Sequence, residues 1–546
     1  MTKYLISRLL RGLFSIVIVV AIVMVLIYGC LNKDQIFAND SVYVHMKSNA
    51  KTTYKLQQWE KYGYVDYVTY AEWMQGLLRD GGISEKDYKT AVVFGDTPSK
   101  DNDLAAEYIK KFTQEMRADG FEVERMNADK MGNKVKEGGK ACLYAYKDVP
   151  LVVRLFRYIT GIFDVDNINY VEEDIENRGL TFTLYDPVYQ EPVTDENGNP
   201  IIDEDGNVKI AKKKFSPAII GNGTQHKYLL YFDSQFPYIH QNLLDIKLGT
   251  SYSVRKDIDV FKTLTDSQGA YVTSTIIYPT GLKEESADNL HSATYIAESF
   301  DKGTAVVKAR YIDNYTNVDT NKNGLSKLGY SFVIGIISVI MAYTLAIPLG
   351  TIMALKKDKF IDKLGTLYIV FIMAVPSLAY IFMFKAIGRS RGLPDTFNMT
   401  NPTWLMYILP IISLALPSIA NLMKWLRRYM IDQMNSDYVK FARAGGLSEG
   451  EIFRKHVLKN AIIPIIHGIP GSVLGALTGA IITERVYVVP GAGNMLTEAI
   501  NAYDNGVIVG MTLFYAVLSV TSIILGDILM SLMDPRISFV TKKGGK

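Results

Sequence analysis

The sequence predicts an all-α, polytopic membrane core interrupted by a large α+β domain. Three observations predict it: long uncharged apolar runs at both ends, an acidic stretch between them, and basic residues gathered in alternate connecting segments. The 546 residues carry a net charge of only +3, which hides a division. Residues 31–326 hold 35 Lys/Arg against 44 Asp/Glu, a balance of −9, and the remainder sums to +12. The two cysteines, Cys30 and Cys142, exclude a disulfide scaffold and a cysteine-rich zinc site. The basic residues flank apolar runs instead of forming one patch, so no nucleic-acid partner is expected.

The first run, residues 12–32, is uncharged. It exceeds the roughly 20 residues a helix needs to cross the hydrocarbon core. Lys3, Arg8 and Arg11 imitate the start of a signal peptide, but no small-residue cleavage site follows, which favours a retained helix. Five more candidates follow at 328–355, 364–384, 404–423, 461–483 and 506–533. The fifth of the six is interrupted by Pro464, His467 and Pro470 and could be partly broken.

Lys and Arg in short loops set orientation. The N-terminus, the segment 356–363, the segment 424–459 and the tail beyond 535 are all basic. With six helices they share one side, which is then the cytoplasm, with both termini there and residues 541–546 as a tail. Residues 33–326 are then expected outside, and 327–540 form the five-helix remainder of the core.

Within the outer stretch, 91–95 reads as a strand, 103–116 as a helix, and 121–126, 180–185 and 228–232 as strands. The paired units Asp195-Glu-Asn-Gly-Asn199 and Asp203-Glu-Asp-Gly-Asn207 read as hairpin turns in preference to a calcium loop, whose spacing they lack. No metal site is expected. The stretch holds 23 of the 35 tyrosines, read as core packing in preference to a peptide-binding surface.

The segment 437–464 carries the most information. Tyr438 to Ala444 has helical spacing, with Val439, Ala442 and Phe441 expected to face inward. Gly445 and Gly446 break it, Leu447 follows, and Ser448 with Glu451 spells a capping box for a second short helix. Small or flexible positions, among them Ala442 and Gly446, would allow close approach of a partner. Asp527, His467 and Lys385 are ionisable groups within or beside apolar runs. They are pore-lining candidates, weighed against a structural bond for Asp527 and interfacial snorkelling for Lys385.

The run Asp437-Tyr-Val-Lys-Phe-Ala-Arg-Ala-Gly-Gly-Leu-Ser448 resembles the coupling loop of ABC-importer membrane subunits, in the oligopeptide/dipeptide permease branch. A second stretch agrees: Glu484, then Pro490, Gly491 and Gly493, followed by Asp527 and Met533-Asp-Pro-Arg536. Residues 7–29, Pro376-Ser377 and Leu248-Gly-Thr-Ser-Tyr252 are also similar to it. The family's loop opens Glu-Ala-Ala where this chain has Lys440-Phe441-Ala442.

The resemblance implies a type I importer permease fold in a bacterial plasma membrane. It implies ATPase coupling through Tyr438, Phe441, Ala442, Arg443, Ala444, Gly445, Gly446, Leu447 and Ser448, within a loop spanning 424–460. The implied partners are a second homologous permease, two ABC ATPases, an extracellular peptide-binding lipoprotein, the peptide itself and membrane lipid. This chain carries no phosphate-binding G-x-x-x-x-G-K-[ST] loop, so ATP and Mg are expected in the partner ATPases; it is expected to be neither an enzyme nor a cofactor binder. The alternative is an ABC-linked transmitter that passes motion to its outer domain and moves nothing across the membrane.

Overall fold

A computed structural model describes residues 2–533 apart from 97–102, 126–142, 166–167, 169, 172–177, 204–205, 226–227, 233–236, 240–243, 278–282, 287, 290–291, 297–309, 315–318, 321, 400–401 and 479. Met533-Asp-Pro-Arg536 beyond its first residue, and Cys142, lie outside the described residues.

Among the described residues, five helical stretches are long and apolar enough to cross a membrane: Ile6–Gly29, Lys327–Leu355, Leu405–Met434, Glu449–Thr478 and Asn505–Leu532. A sixth span arises only if Phe360–Ala374 and Ser377–Ser390 count as one. These two meet at 107°, so the expected straight helix at 364–384 is replaced by a sharp bend. The cause is local: Pro376 forces an extended conformation on Val375 and cannot donate to the helical ladder. The stretch expected at 461–483 begins earlier, at Glu449, and passes through a π-helical turn at Phe453–Leu458. In the Leu405–Met434 helix, Pro410 and Pro417 are accommodated without ending the helix.

The N-terminal helix, Thr2–Cys30, lies against the C-terminal helix, Asn505–Met533. Two contacts fix their antiparallel pairing. Arg8 Nη2 meets Asp527 Oδ2 at 2.8 Å near one end, and Val20, Met24 and Ile27 join Val507, Val509 and Met511 in one core near the other. The Lys327–Leu355 helix packs on Leu405–Met434 through a seam of Ala342, Ala346, Ala415, Ile419, Ala420 and Met423. Gly350 lies in the same contact, where an added Cβ would meet the Met423 backbone at 3.3 Å. The bent pair is tied to the Leu405–Met434 helix by Arg427, which holds Asp362 through two bonds of 2.6 and 2.7 Å.

The stretch between the first two membrane-length helices contains short helices and small antiparallel sheets. One sheet has Leu143–Asp148 in the centre, flanked by Val65–Thr69 and Glu122–Arg125. Residues 91–95 are not a strand: they end the helix Glu85–Asp96. Ser84 caps that helix by accepting the Asp87 amide at 3.1 Å. A five-residue apolar run does not distinguish strand from buried helix by periodicity, and here the upstream cap decides. The helix at 103–116 forms as Asp103–Ala118. The strands near 121, 180 and 228 form as Glu122–Arg125, Gly179–Pro192 and Tyr228–Phe232.

Both Asn-Gly/Asp-Gly units close turns. Asp195 Oδ1 accepts the amides of Asn197 and Asn199 at 2.9 and 2.8 Å, and Gly198 and Gly206 take φ of +84° and +86°. Many tyrosines are core groups, as the composition suggested: Tyr64, Tyr67, Tyr144 and Tyr252 are buried with Phe37 and Trp59.

The insertion is anchored to the C-terminal helix by one carboxylate. Asp504, fully buried, accepts the Ser251 hydroxyl at 2.7 Å and the amides of Ser253 and Val254 at 2.8 and 3.0 Å. The backbones cross so closely that a Cβ on Gly506 would lie 2.1 Å from the Thr250 carbonyl oxygen. This crossing accounts for the Leu248-Gly-Thr-Ser-Tyr252 stretch: its Gly249, at φ +129°, faces Gly506 across the same contact.

Candidate translocation cavity and coupling surface

A cavity of about 250 Å³ opens between the Lys327–Leu355 helix, the Leu405–Met434 helix and the segment 472–489. Its wall is apolar with interspersed hydroxyl and amide groups, including Ser338, Tyr343, Asn421, Ser472 and Thr483. At one end sits Glu484, which is 2% exposed. Its Oε1 accepts the Ser331 hydroxyl at 2.7 Å and the Ala480 amide at 3.1 Å, and its Oε2 accepts the Gly493 amide at 2.9 Å. Ser331 Oγ in turn accepts the Ala492 amide at 2.8 Å.

The conformation around Glu484 follows from its own sequence. The short helix Ile481–Tyr487 ends at Val488, which is left-handed at φ +58°. That is an unusual state for a β-branched residue. Val489 donates back to the Glu484 carbonyl at 2.8 Å, and Pro490 redirects the chain. Gly491 then passes directly over the carboxylate: a Cβ there would lie 2.3 Å from Glu484 Oε2. Gly493 supplies the amide that binds it. The four residues singled out in this stretch therefore make one structure, a carboxylate folded against its own loop.

Lys385, His467 and Asp527 do not line this cavity. Lys385 Nζ donates to the Val486 carbonyl at 2.7 Å, at the C-terminal end of the Ile481–Tyr487 helix, where a cation is favoured. His467 packs against the C-terminal helix at Gly526, where a Cβ would lie 2.9 Å from its Cε1. Asp527 pairs with Arg8, the structural alternative to pore lining. The hydroxyl groups that do line the cavity were not singled out in the sequence. Serine and threonine are common in apolar helices, and nothing in their spacing distinguishes these from the rest.

The segment 437–452 folds as two short helices, Asp437–Ala444 and Glu449–Ile452, about a glycine turn. Gly446 sits at φ +82°, with nothing within 4 Å of where a Cβ would stand. Ser448 and Glu451 form the capping box, with the Glu451 amide 3.3 Å from Ser448 Oγ and the Ser448 amide 3.2 Å from Glu451 Oε2. Arg443 bridges the turn to Glu449 through bonds of 2.5 and 3.1 Å. Tyr438 fixes the base: its hydroxyl donates to Gln433 at 2.5 Å and accepts from Asn460 at 3.1 Å.

Val439 faces inward as expected, at 1% exposure, but Phe441 does not. It is 76% exposed, two positions from Val439 and therefore on another side of the helix. Ala442 and Leu447 are half-buried, and Ala444, Gly445, Gly446 and Ser448 are exposed, as are the charged Lys440 and Arg443. The result is an exposed aromatic side chain on a helix that ends in small residues.

Comparison with known proteins identifies the family. Residues 346–539 match the family described as binding-protein-dependent transport system inner membrane component. The oligopeptide transport system permease protein AmiC of Streptococcus pneumoniae is 33% identical over the whole of both chains. The dipeptide transport system permease protein DppB of Bacillus subtilis is 31% identical over 39% of this chain and 69% of its own. DppB of Lactococcus lactis is likewise 31% identical, over 41% of this chain and 73% of its own. The apolar helices, the motif-bearing segments and this full-length likeness place the chain in the oligopeptide/dipeptide permease family of ABC-transport membrane components.

Proposed function

We propose that this multi-pass permease subunit forms half of the translocation path of an ATP-driven oligopeptide importer and takes its drive from partner ATPases at residues 437–452. The observation that carries the proposal is the exposed Phe441 on a braced helix–glycine–helix unit. An uncovered aromatic next to a glycine turn suits insertion into a partner's groove. The unit is stiffened by the Arg443–Glu449 pair and the capping box and rooted through Tyr438, so force applied there reaches the Leu405–Met434 helix.

Two further features support the reading. The cavity's 250 Å³ falls below the roughly 300–1,000 Å³ typical of small-ligand sites, so a peptide path needs a second face. A homologous permease subunit would supply it. The wall's scattered hydroxyls and amides, with its one carboxylate occupied by its own loop, suit cargo of varied sequence. Backbone groups can be bound there without selecting side chains.

On this reading two ATPases supply ATP and Mg, and an extracellular lipoprotein delivers peptide. Residues 33–326 form an outer docking domain over the pore mouth, and both termini are cytoplasmic. The full-length likeness to an oligopeptide permease favours transport over the motion-transmitting alternative.

The test is peptide-stimulated ATP hydrolysis by the reconstituted assembly. Phe441→Ala should lower the affinity for the ATPase subunits by about thirtyfold, corresponding to a hot-spot loss of about 2 kcal/mol, and should uncouple hydrolysis from peptide. An unchanged affinity and unchanged stimulation would overturn the assignment of this surface.

A further inference from the structure

A second cavity of about 250 Å³ lies where the insertion meets the ends of the N- and C-terminal helices. Met24, Tyr28, Tyr64, Arg154, Asn505 and Val509 contribute to its wall. Two groups there lack complements. Arg154 lies against the edge-to-face pair of Tyr28 and Tyr64, 4.3 Å from each ring centroid, and its Nε donates to the Gly63 carbonyl at 2.7 Å. Among the described residues it makes no ion pair. The neighbouring cations are already matched, Arg157 with Asp66 and Lys61 with Asp257, each at 2.8 Å. The second group is Asn505, 6% exposed, whose Nδ2 donates to Tyr64 at 2.6 Å while its Oδ1 is buried without a hydrogen-bond partner. A partly buried guanidinium with no ion pair and a buried acceptor with no partner suit a ligand that is anionic and also carries a donor.

The helix that supplies Arg154, Leu151–Thr160, has two apolar sides. Leu155 and Tyr158 pack on the core shared by the N- and C-terminal helices. Val152 and Phe156 face away from the protein, 78% and 68% exposed. The helix packs beside the N-terminal helix, whose own apolar side chains, such as Leu26 at 57%, are exposed as those of a lipid-facing helix are. Apolar side chains continuous with a membrane-spanning surface, beside a cation and tyrosines, form the arrangement of an interfacial helix at headgroup depth.

We propose that this cavity seats the headgroup of an anionic phospholipid of the phosphatidylglycerol type. Arg154 binds its phosphate, Asn505 Oδ1 accepts a headgroup hydroxyl, and the acyl chains run along Val152, Phe156 and the N-terminal helix. Arginine suits phosphate through its planar donors. The cavity volume suits a headgroup and not an oligopeptide. The bound lipid would sit at the joint between insertion and membrane core, so the lipid composition would bear on how firmly the insertion is held.

The test uses the full chain assembled with its partner subunits in mild detergent, with retained lipid weighed by native mass spectrometry. Wild type should retain phosphatidylglycerol in preference to phosphatidylcholine, and excess inorganic phosphate should not displace it. Arg154→Gln should lower retention by at least about tenfold, the effect of one charge-assisted contact, and Phe156→Asp should lower it as well. Equal retention of the two lipids, retention unaffected by Arg154→Gln, or displacement by inorganic phosphate would overturn the assignment. Should Arg154→Gln fail to assemble, a photoactivatable phosphatidylglycerol on the wild-type assembly decides the matter. Crosslinking to residues 151–160 supports the site, and crosslinking confined elsewhere removes it.

Discussion

Gly446 adopts a backbone conformation, φ +82°, that costs other residues about 1–2 kcal/mol. Nothing lies within 4 Å of where its Cβ would stand, so a side chain there meets backbone strain and, on the proposed coupling, a partner's surface. Replacement by arginine should therefore leave the protein in the membrane at normal abundance while abolishing uptake. Gly491 is the opposite case. Its Cα lies over Glu484, and a methyl group would displace the carboxylate from the Ser331 hydroxyl and the Gly493 amide. Gly491→Ala should destabilise the membrane core by about 1–3 kcal/mol, the cost of an orphaned buried partner, seen as a lower melting temperature with residues 437–452 unaffected. Both glycines were legible as important, but only three dimensions separate a turn open to its surroundings from one that covers a carboxylate. The same limit explains Phe441: helical spacing placed it on a side of its helix without showing that the described residues leave that side exposed.

At the scale of elements, Asp40 shows how the insertion's helices are tied together. It caps the short helix Ser41–His45 by accepting the Val42 and Tyr43 amides at 2.9 and 3.1 Å, and it also receives the hydroxyls of Tyr54 and Tyr252. Burial works against its charge, but the hydroxyls of Tyr252 and Tyr54 and the Tyr43 amide outweigh burial and hold the carboxyl below its ordinary 3.8. A carboxyl lowered by folding adds stability that is present above the unfolded value and is lost as pH falls through the folded one. The insertion should therefore lose stability below about pH 4. Asp40→Asn should be less stable at neutral pH and lose less on acidification, as read from melting temperature against pH.

The long apolar runs were readable because length and lack of charge are properties of the chain alone. The short ones were not. Residues 91–95 became helical through an upstream cap, and the bend at Pro376 depends on one residue within an otherwise continuous run. The central strand Leu143–Asp148 was missed because its partners are distant in sequence, and pairing rather than composition defines it.

For the whole molecule, the joints between insertion and core matter most. The Asp504 carboxylate is bound to Ser251, Ser253 and Val254 across some 250 residues of sequence, and no local pattern announces such a bond. Asp504→Ala leaves the Ser251 hydroxyl and the partly buried Ser253 and Val254 amides without this acceptor, at up to about 1–3 kcal/mol each. Limited proteolysis should then cut the insertion faster while the membrane helices stay intact. Arg8 and Asp527 join the two ends of the chain in the membrane core. Replacing either alone should lower the melting temperature, and exchanging the two charges should restore most of the loss.

The most direct test of the coupled-permease account is uptake of a labelled oligopeptide by cells lacking this chain but retaining its partners. The account predicts that uptake is lost on deletion and restored by the intact chain. The Gly446→Arg variant, present in the membrane at equal abundance, should fail to restore it. Uptake that persists without the chain, or that Gly446→Arg restores in full, would contradict the account.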